Sequence, residues 1–230
     1  MKMKKMFFSL LALGAVSFAH AQDCSKYIYF KDNARIESVV YDGNGKEIRK
    51  EVQEISGVED KGGERIANIT TTKSGNEGNS SSKGVVKCNG GNLYFDLTVG
   101  LPKQDVNNPA IESNTKTSYL TYPADPKIGQ TLESSLDFNL NGTTKGKSMK
   151  VNFKVEDRKV SGKEKVSTPI GSWESFKITY VLNVKFKVVG INIPMKLDIT
   201  EWFVPGYGIV KSEAYLKGKL TERSVITAIK

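Results

Sequence analysis

The side chains able to do acid, base or nucleophilic chemistry set the first limits. The 230-residue chain has one histidine, His20. It lies in the opening stretch MKMKKMFFSLLALGAVSFAHAQ, which reads as a removable leader. The protein left after removal has no histidine. Ser-His-Asp and Cys-His catalysis, histidine-ligated zinc and a histidine general base are therefore excluded. Carboxylate chemistry passes this filter. Glu156 with Asp157, or Glu174 with Glu201, are the pairs a glycosidase-type hydrolysis would need at about 5–9 Å. Nothing in the sequence places either pair in a cleft. No phosphate loop, GxSxG elbow or EF-hand pattern occurs. The expectation is no catalytic set, no cofactor and no metal site.

Two cysteines follow the leader, Cys24 and Cys88. An even count in an exported chain fits one disulfide. Two free thiols or a metal site are the competing readings, and metal lacks a third soft ligand. A bridge would close a long loop and stabilise the fold by about 4 kcal/mol in the chain-entropy model.

The leader itself has three parts. Lys2, Lys4 and Lys5 form its positive start, Phe7 to Phe18 its apolar centre, and Ala19-His20-Ala21 its small-residue cleavage signal. The apolar run is short of the roughly 20 residues that span a bilayer. Residues 1–22 are thus expected to be removed, leaving one β-rich domain over 23–230 that is not an integral membrane protein. Lipidation at Cys24 fits poorly, because Ala21-Gln22-Asp23 lacks the small-residue pattern before the cysteine. Without the three leader lysines, 31 basic residues face 25 acidic ones, a net charge of +6. The lysines are scattered along strand candidates, and no helix-turn-helix, RNP or zinc pattern accompanies them, so nucleic acid is not an expected partner.

The elements that would position these groups are strands. Tyr27 to Phe30 and Arg35 to Tyr41 are short candidates, and Asp42-Gly43-Asn44-Gly45 is a hairpin turn before Lys46 to Ile55. Arg65 to Thr72 follows a turn at Asp60. Gly75 to Lys83 reads as a polar loop. Val85 to Cys88 and Leu93 to Val99 flank a hairpin turn at Asn89 to Asn92. Residues 100–117 have little periodicity and join two halves, about 23–99 and 118–230. In the second half Asn141-Gly142 reads as a turn, and so does Ser161-Gly162. Val151, Phe153 and Val155 alternate with polar neighbours. Phe176, Ile178, Tyr180, Leu182, Val184, Phe186 and Val188 keep to even positions, the period of a strand with one buried face. Such a strand is unusually long and is expected to bend or bulge. Pro205-Gly206 fits the centre of a type II turn. About ten to twelve antiparallel strands with short turns give an all-β fold. It is expected to be a curved sheet or partly closed β-barrel like that of lipoprotein carriers, with a β-sandwich as second choice.

The turns and strand starts also carry a likeness. The Tyr41 to Lys46 hairpin and Lys87-Cys88-Asn89-Gly90-Gly91 mark the first half. Tyr122-Pro123, Arg158-Lys159-Val160, Thr168-Pro169, Gly171, Trp173, Phe176 to Tyr180 and Trp202 to Gly208 mark the second. Together they resemble the TapB-like family of exported Bacteroidetes proteins, a domain of unknown function. The resemblance implies a periplasmic or outer-envelope β protein, or a secreted one, with no established activity. The expected function is non-catalytic: binding a lipid or other hydrophobic ligand in the curved sheet. A structural or protein-interaction role in the cell envelope is the alternative, and a carboxylate-dependent hydrolase the remote one.

Overall fold

Alternating apolar and polar residues make most of this chain extended, and the computed structural model forms twelve strands among the described residues. It describes residues 24–76, 78–96, 119–133, 136–144, 147–188 and 190–230. The leader and the 100–117 stretch lie outside the described residues. The strands are β1 (Arg35–Asp42), β2 (Glu47–Lys61), β3 (Glu64–Gly75), β4 (Gly78–Asn89), β5 (Asn92–Asp96) and β6 (Tyr119–Tyr122), then β7 (Asp137–Thr144), β8 (Lys147–Thr168), β9 (Gly171–Val188), β10 (Ile191–Val204), β11 (Gly208–Leu216) and β12 (Lys219–Ile229). All belong to one antiparallel sheet, so a two-sheet sandwich does not form. The sheet is strongly curled into a half-barrel. Its order is β6-β5-β4-β3-β2-β1-β12-β11-β10-β9-β8-β7. This is a meander opened between β6 and β7, with the first and last strands paired in mid-sheet.

A curled sheet with one apolar face must cover that face. Here the segment before β1 does so. Tyr27 to Phe30, expected as a strand, instead holds one extended residue, Tyr27, followed by a single-turn 3-10 helix, Ile28–Phe30, and another such turn, Cys24–Lys26, precedes it. All four of its side chains are buried, which a half-exposed strand could not achieve. Tyr27 stacks on Phe203 at 6.3 Å and donates its hydroxyl to the Gly91 carbonyl at 2.8 Å. Tyr29 meets Phe95 edge-on at 5.3 Å. The ring of Tyr29 runs so close to Gly208 that a Cβ there would sit 2.8 Å from it, and Gly208 has φ 139°, so only glycine fits. The Cys24–Cys88 disulfide ties this plug to β4, with Cα atoms 5.8 Å apart.

Three other expectations need correction. Gly75 to Lys83 is not a loop: β3 and β4 stay paired out to Gly75 and Gly78. Backbone pairing holds these polar residues extended although most of their side chains bury little. Asn141-Gly142 lies inside β7, and Ser161-Gly162 lies inside β8. Gly162 sits at a register shift, so the glycine marks an irregularity and not a reversal.

Candidate functional site

β8 carries the feature that organises the centre. Its register with β9 passes from Glu156↔Val181 to Lys159↔Thr179, so Asp157 and Arg158 together oppose Tyr180. Asp157 takes a φ of 54° there. This is a bulge, and bulges re-aim side chains. Arg158 is turned fully into the interior, with none of its surface exposed. Its Nη1 donates to the Thr121 carbonyl on β6. Its guanidinium lies over the Tyr122 ring at 4.4 Å and over Tyr180 at 5.9 Å. Glu201 on β10 is its counter-ion, with Nη2 4.0 Å from Oε2. Nε and Nη2 have no hydrogen-bond partner among the described residues.

Glu201 is held more completely. It accepts the Tyr122 hydroxyl at 2.8 Å and the Tyr180 hydroxyl at 2.9 Å. Burial, and then the negative charge of Glu201, push both phenols well above the ordinary tyrosine pKa. They therefore stay protonated donors. The four side chains come from β6, β8, β9 and β10. They join the open edge at β6 to strands on the far side of the opening, which is a structural latch.

The carboxylate pairs singled out in the sequence do not meet in this way. Glu156 is bound by Lys154 at 2.5 Å and Asn183 at 2.6 Å. Asp157 is exposed on the bulge. Glu174 is exposed and pairs in register with Lys165, whereas Glu201 is opposite Ile178. Four β9 residues separate those levels, about 13 Å at 3.3 Å per residue. Among the described residues no group of three or more His, Cys, Asp or Glu side chains could hold a metal ion. Beside the plug, Tyr29, Phe95, Ser38, Gln53, Ser212 and Ser224 line a space of about 170 Å³. Ligand pockets for drug-sized molecules are about 300 Å³ or more. A cleft of about 490 Å³ opens at the bulge, lined by Thr131, Lys159, Thr179 and Asp198 among others.

Beyond the bulge, β7 to β10 continue as an arm with two contrasting faces. On one face the register gives apolar rungs: Val155, Leu182 and Leu197; Phe153, Val184 and Met195; Val151, Phe186 and Ile193. Val151, Val155 and Val184 are buried, but Ile193 is 53% exposed and Ile191, beside the turn at Gly190, is 66% exposed. The other face carries Lys150 directly opposite Lys187, with Lys185 in the next rung. All three are exposed. Sequence reasoning found the apolar alternation and the scattered lysines. It missed Arg158, although a signal existed: the apolar parity shifts from odd at Val151, Phe153 and Val155 to even at Val160, which is what an inserted bulge residue produces.

The comparisons with known proteins bear on this fold. The DUF3108-like family profile matches residues 31–226, and the chain belongs to that family. The structure is similar to that of a Bacteroides fragilis NCTC 9343 protein described as exported and of YmcC-like fold. That likeness has 21% identity, covers 87% of this chain and 96% of the other, and has a TM-score of 0.66. It is also similar to a Parabacteroides distasonis ATCC 8503 protein described as a lipoprotein, with 17% identity, 91% and 100% coverage and a TM-score of 0.68. At these identities the likeness carries the fold. No curated relative matches the chain.

Proposed function

We propose that this member of the DUF3108-like family is an exported, non-catalytic cell-envelope protein that works by docking its β7–β10 arm onto another envelope component. One observation carries the reading. The centre of the half-barrel is filled by Tyr27 to Phe30, whereas the apolar rungs of the arm run outward to exposed Ile193 and Ile191. Exposed apolar side chains that lie together mark interaction sites more often than singly scattered ones do. Export agrees with the leader, with the disulfide and with the descriptions of the two structural relatives. The finer likeness to the TapB-like group rests on the turn and strand-start motifs alone.

A second reading keeps a lipid as the ligand. It draws on the same rungs, since Phe153, Phe186, Met195 and Leu197 are only partly buried and could cover an acyl chain. The 170 Å³ space at the plug is too small for such a chain and the 490 Å³ cleft at the bulge is lined mostly by polar and charged residues, so the apolar rungs of the arm are where it would lie.

Site-specific photo-crosslinking in intact envelopes tests the docking reading. A photoreactive residue at the Ile193 position should give adducts with envelope components. The same residue at the Lys165 position, near the other end of β8, should give few. Equal yields at the two positions would overturn the reading.

A further inference from the structure

The end of the arm combines two features that together specify a surface. Residues 147–155 and 182–197 contain six lysines, Lys147, Lys150, Lys154, Lys185, Lys187 and Lys196, and no acidic residue. This equals the +6 net charge of the whole chain after its leader. Lys150 and Lys187 face each other directly across β8 and β9. Like charges directly opposite each other destabilise a sheet. Lys150, Lys185 and Lys187 make no salt bridge among the described residues. Lys154 is already engaged by Glu156. Such repulsion is relieved when an anionic surface supplies the counter-charge.

The isoleucines say what kind of surface. Ile191 and Ile193 are two of the three exposed large hydrophobic residues among those described. Both lie just past the β9–β10 turn. A soluble polyanion would satisfy the lysines and leave the isoleucines in water. The interface of an anionic bilayer satisfies both. The depths agree. Lys187 precedes Gly190 by three residues, about 10 Å along a strand. Apolar faces of interfacial elements enter the headgroup and acyl boundary by about 5–10 Å. Insertion of the hairpin end would bring Lys187 and Lys150 to headgroup level, with their alkyl stems running toward the interface. The sulfur of Cys24 is engaged by Cys88 and unavailable for a thioether-linked lipid, so an arm contact would supply membrane attachment of a different kind.

We infer that the β9–β10 hairpin end, with Lys150, Lys185 and Lys187 around it, docks on the surface of an anionic phospholipid bilayer. This rests on the arm being the docking element and names its partner. Sedimentation of the purified, disulfide-bonded protein with vesicles tests it. Binding is expected to vesicles of phosphatidylcholine mixed with phosphatidylglycerol, to weaken with added salt, and to be far lower on phosphatidylcholine alone. Lys187→Gln and Lys150→Gln should each lower partitioning about fivefold. Ile191→Asp with Ile193→Asp should abolish it, and Lys165→Gln should leave it unchanged. These side chains are exposed, and a urea midpoint no lower than that of the parent confirms that each variant is folded. Absence of binding, equal binding to neutral and anionic vesicles, or arm variants that bind like the parent would overturn the inference. If vesicle binding fails while the Ile193 position still gives protein adducts in envelopes, the membrane falls as the partner and arm docking stands.

Discussion

The centre of the half-barrel and its β7–β10 arm share three long strands, β8, β9 and β10, yet they treat charge and apolar surface in opposite ways. In the centre a guanidinium and a carboxylate are buried together, and Glu201 receives two phenol hydroxyls. In the arm Lys150 and Lys187 are set against each other with no salt bridge to either among the described residues. In the centre the plug buries every aromatic ring it brings. In the arm two isoleucines are left in solvent. The change occurs at the β8 bulge. One inserted residue reverses which parity of β8 faces the interior, and so allows one strand to serve a rigid core and an outward-facing surface.

The largest effect should come from breaking the central latch. Glu201→Leu leaves Arg158 buried and uncompensated and should cost about 3–5 kcal/mol in urea unfolding. Arg158→Leu should cost less, because Glu201 keeps its two phenol donors. If the two variants cost the same, the asymmetry argued for the cluster is wrong. Next in size is the plug. Replacing Cys24 and Cys88 together by serine should cost about 4 kcal/mol in the chain-entropy model and expose Tyr27 and Tyr29 to fluorescence quenchers. Unchanged stability would mean the plug is held without its bridge.

High pH should act on the phenols of the folded protein. Tyr122 and Tyr180 are raised by burial first and by the Glu201 charge second. Tyr215 is pushed up to about 12 by its hydrogen bond to Glu213 and then by burial. Unfolded tyrosines ionise near about pH 10. A folded pKa above the unfolded one gives stability that is complete below that value and lost as pH rises toward the folded pKa. Urea midpoints should therefore fall as pH climbs above about 10, and the tyrosinate absorbance lost in a Tyr122→Phe, Tyr180→Phe variant should appear only with unfolding. Tyrosinate at those two positions that forms well before unfolding would contradict the buried cluster. The smallest effect belongs to the arm. Lys150→Gln relieves the pair with Lys187 and should stabilise the fold by a few tenths of a kcal/mol. A clear loss of stability would show that Lys150 has a partner that holds it.

The contrast also separates what the residues announced from what they concealed. The even-position apolar run of β9 and the Cys24–Cys88 pair were legible, since strand period and cysteine count are local properties. The Tyr27 to Phe30 plug was not, because an unbroken apolar run has no period to separate a strand from a buried turn. Asn141-Gly142 has turn chemistry, but strand pairing on both sides carries it through β7. The β1–β12 pairing and the Arg158–Glu201 contact join distant parts of the chain through register, which no local pattern encodes. The arm surface was half visible: the sequence showed lysines scattered along strand candidates, and only the register set Lys150 against Lys187.

Hydrogen–deuterium exchange of the disulfide-bonded protein, with and without envelope membranes, tests most directly the division into a rigid centre and a docking arm. Slowed exchange confined to 149–155 and 182–197, with the plug at 24–30 unchanged, is the predicted result. Slowing centred on the plug and β4, or none in the arm, would contradict it.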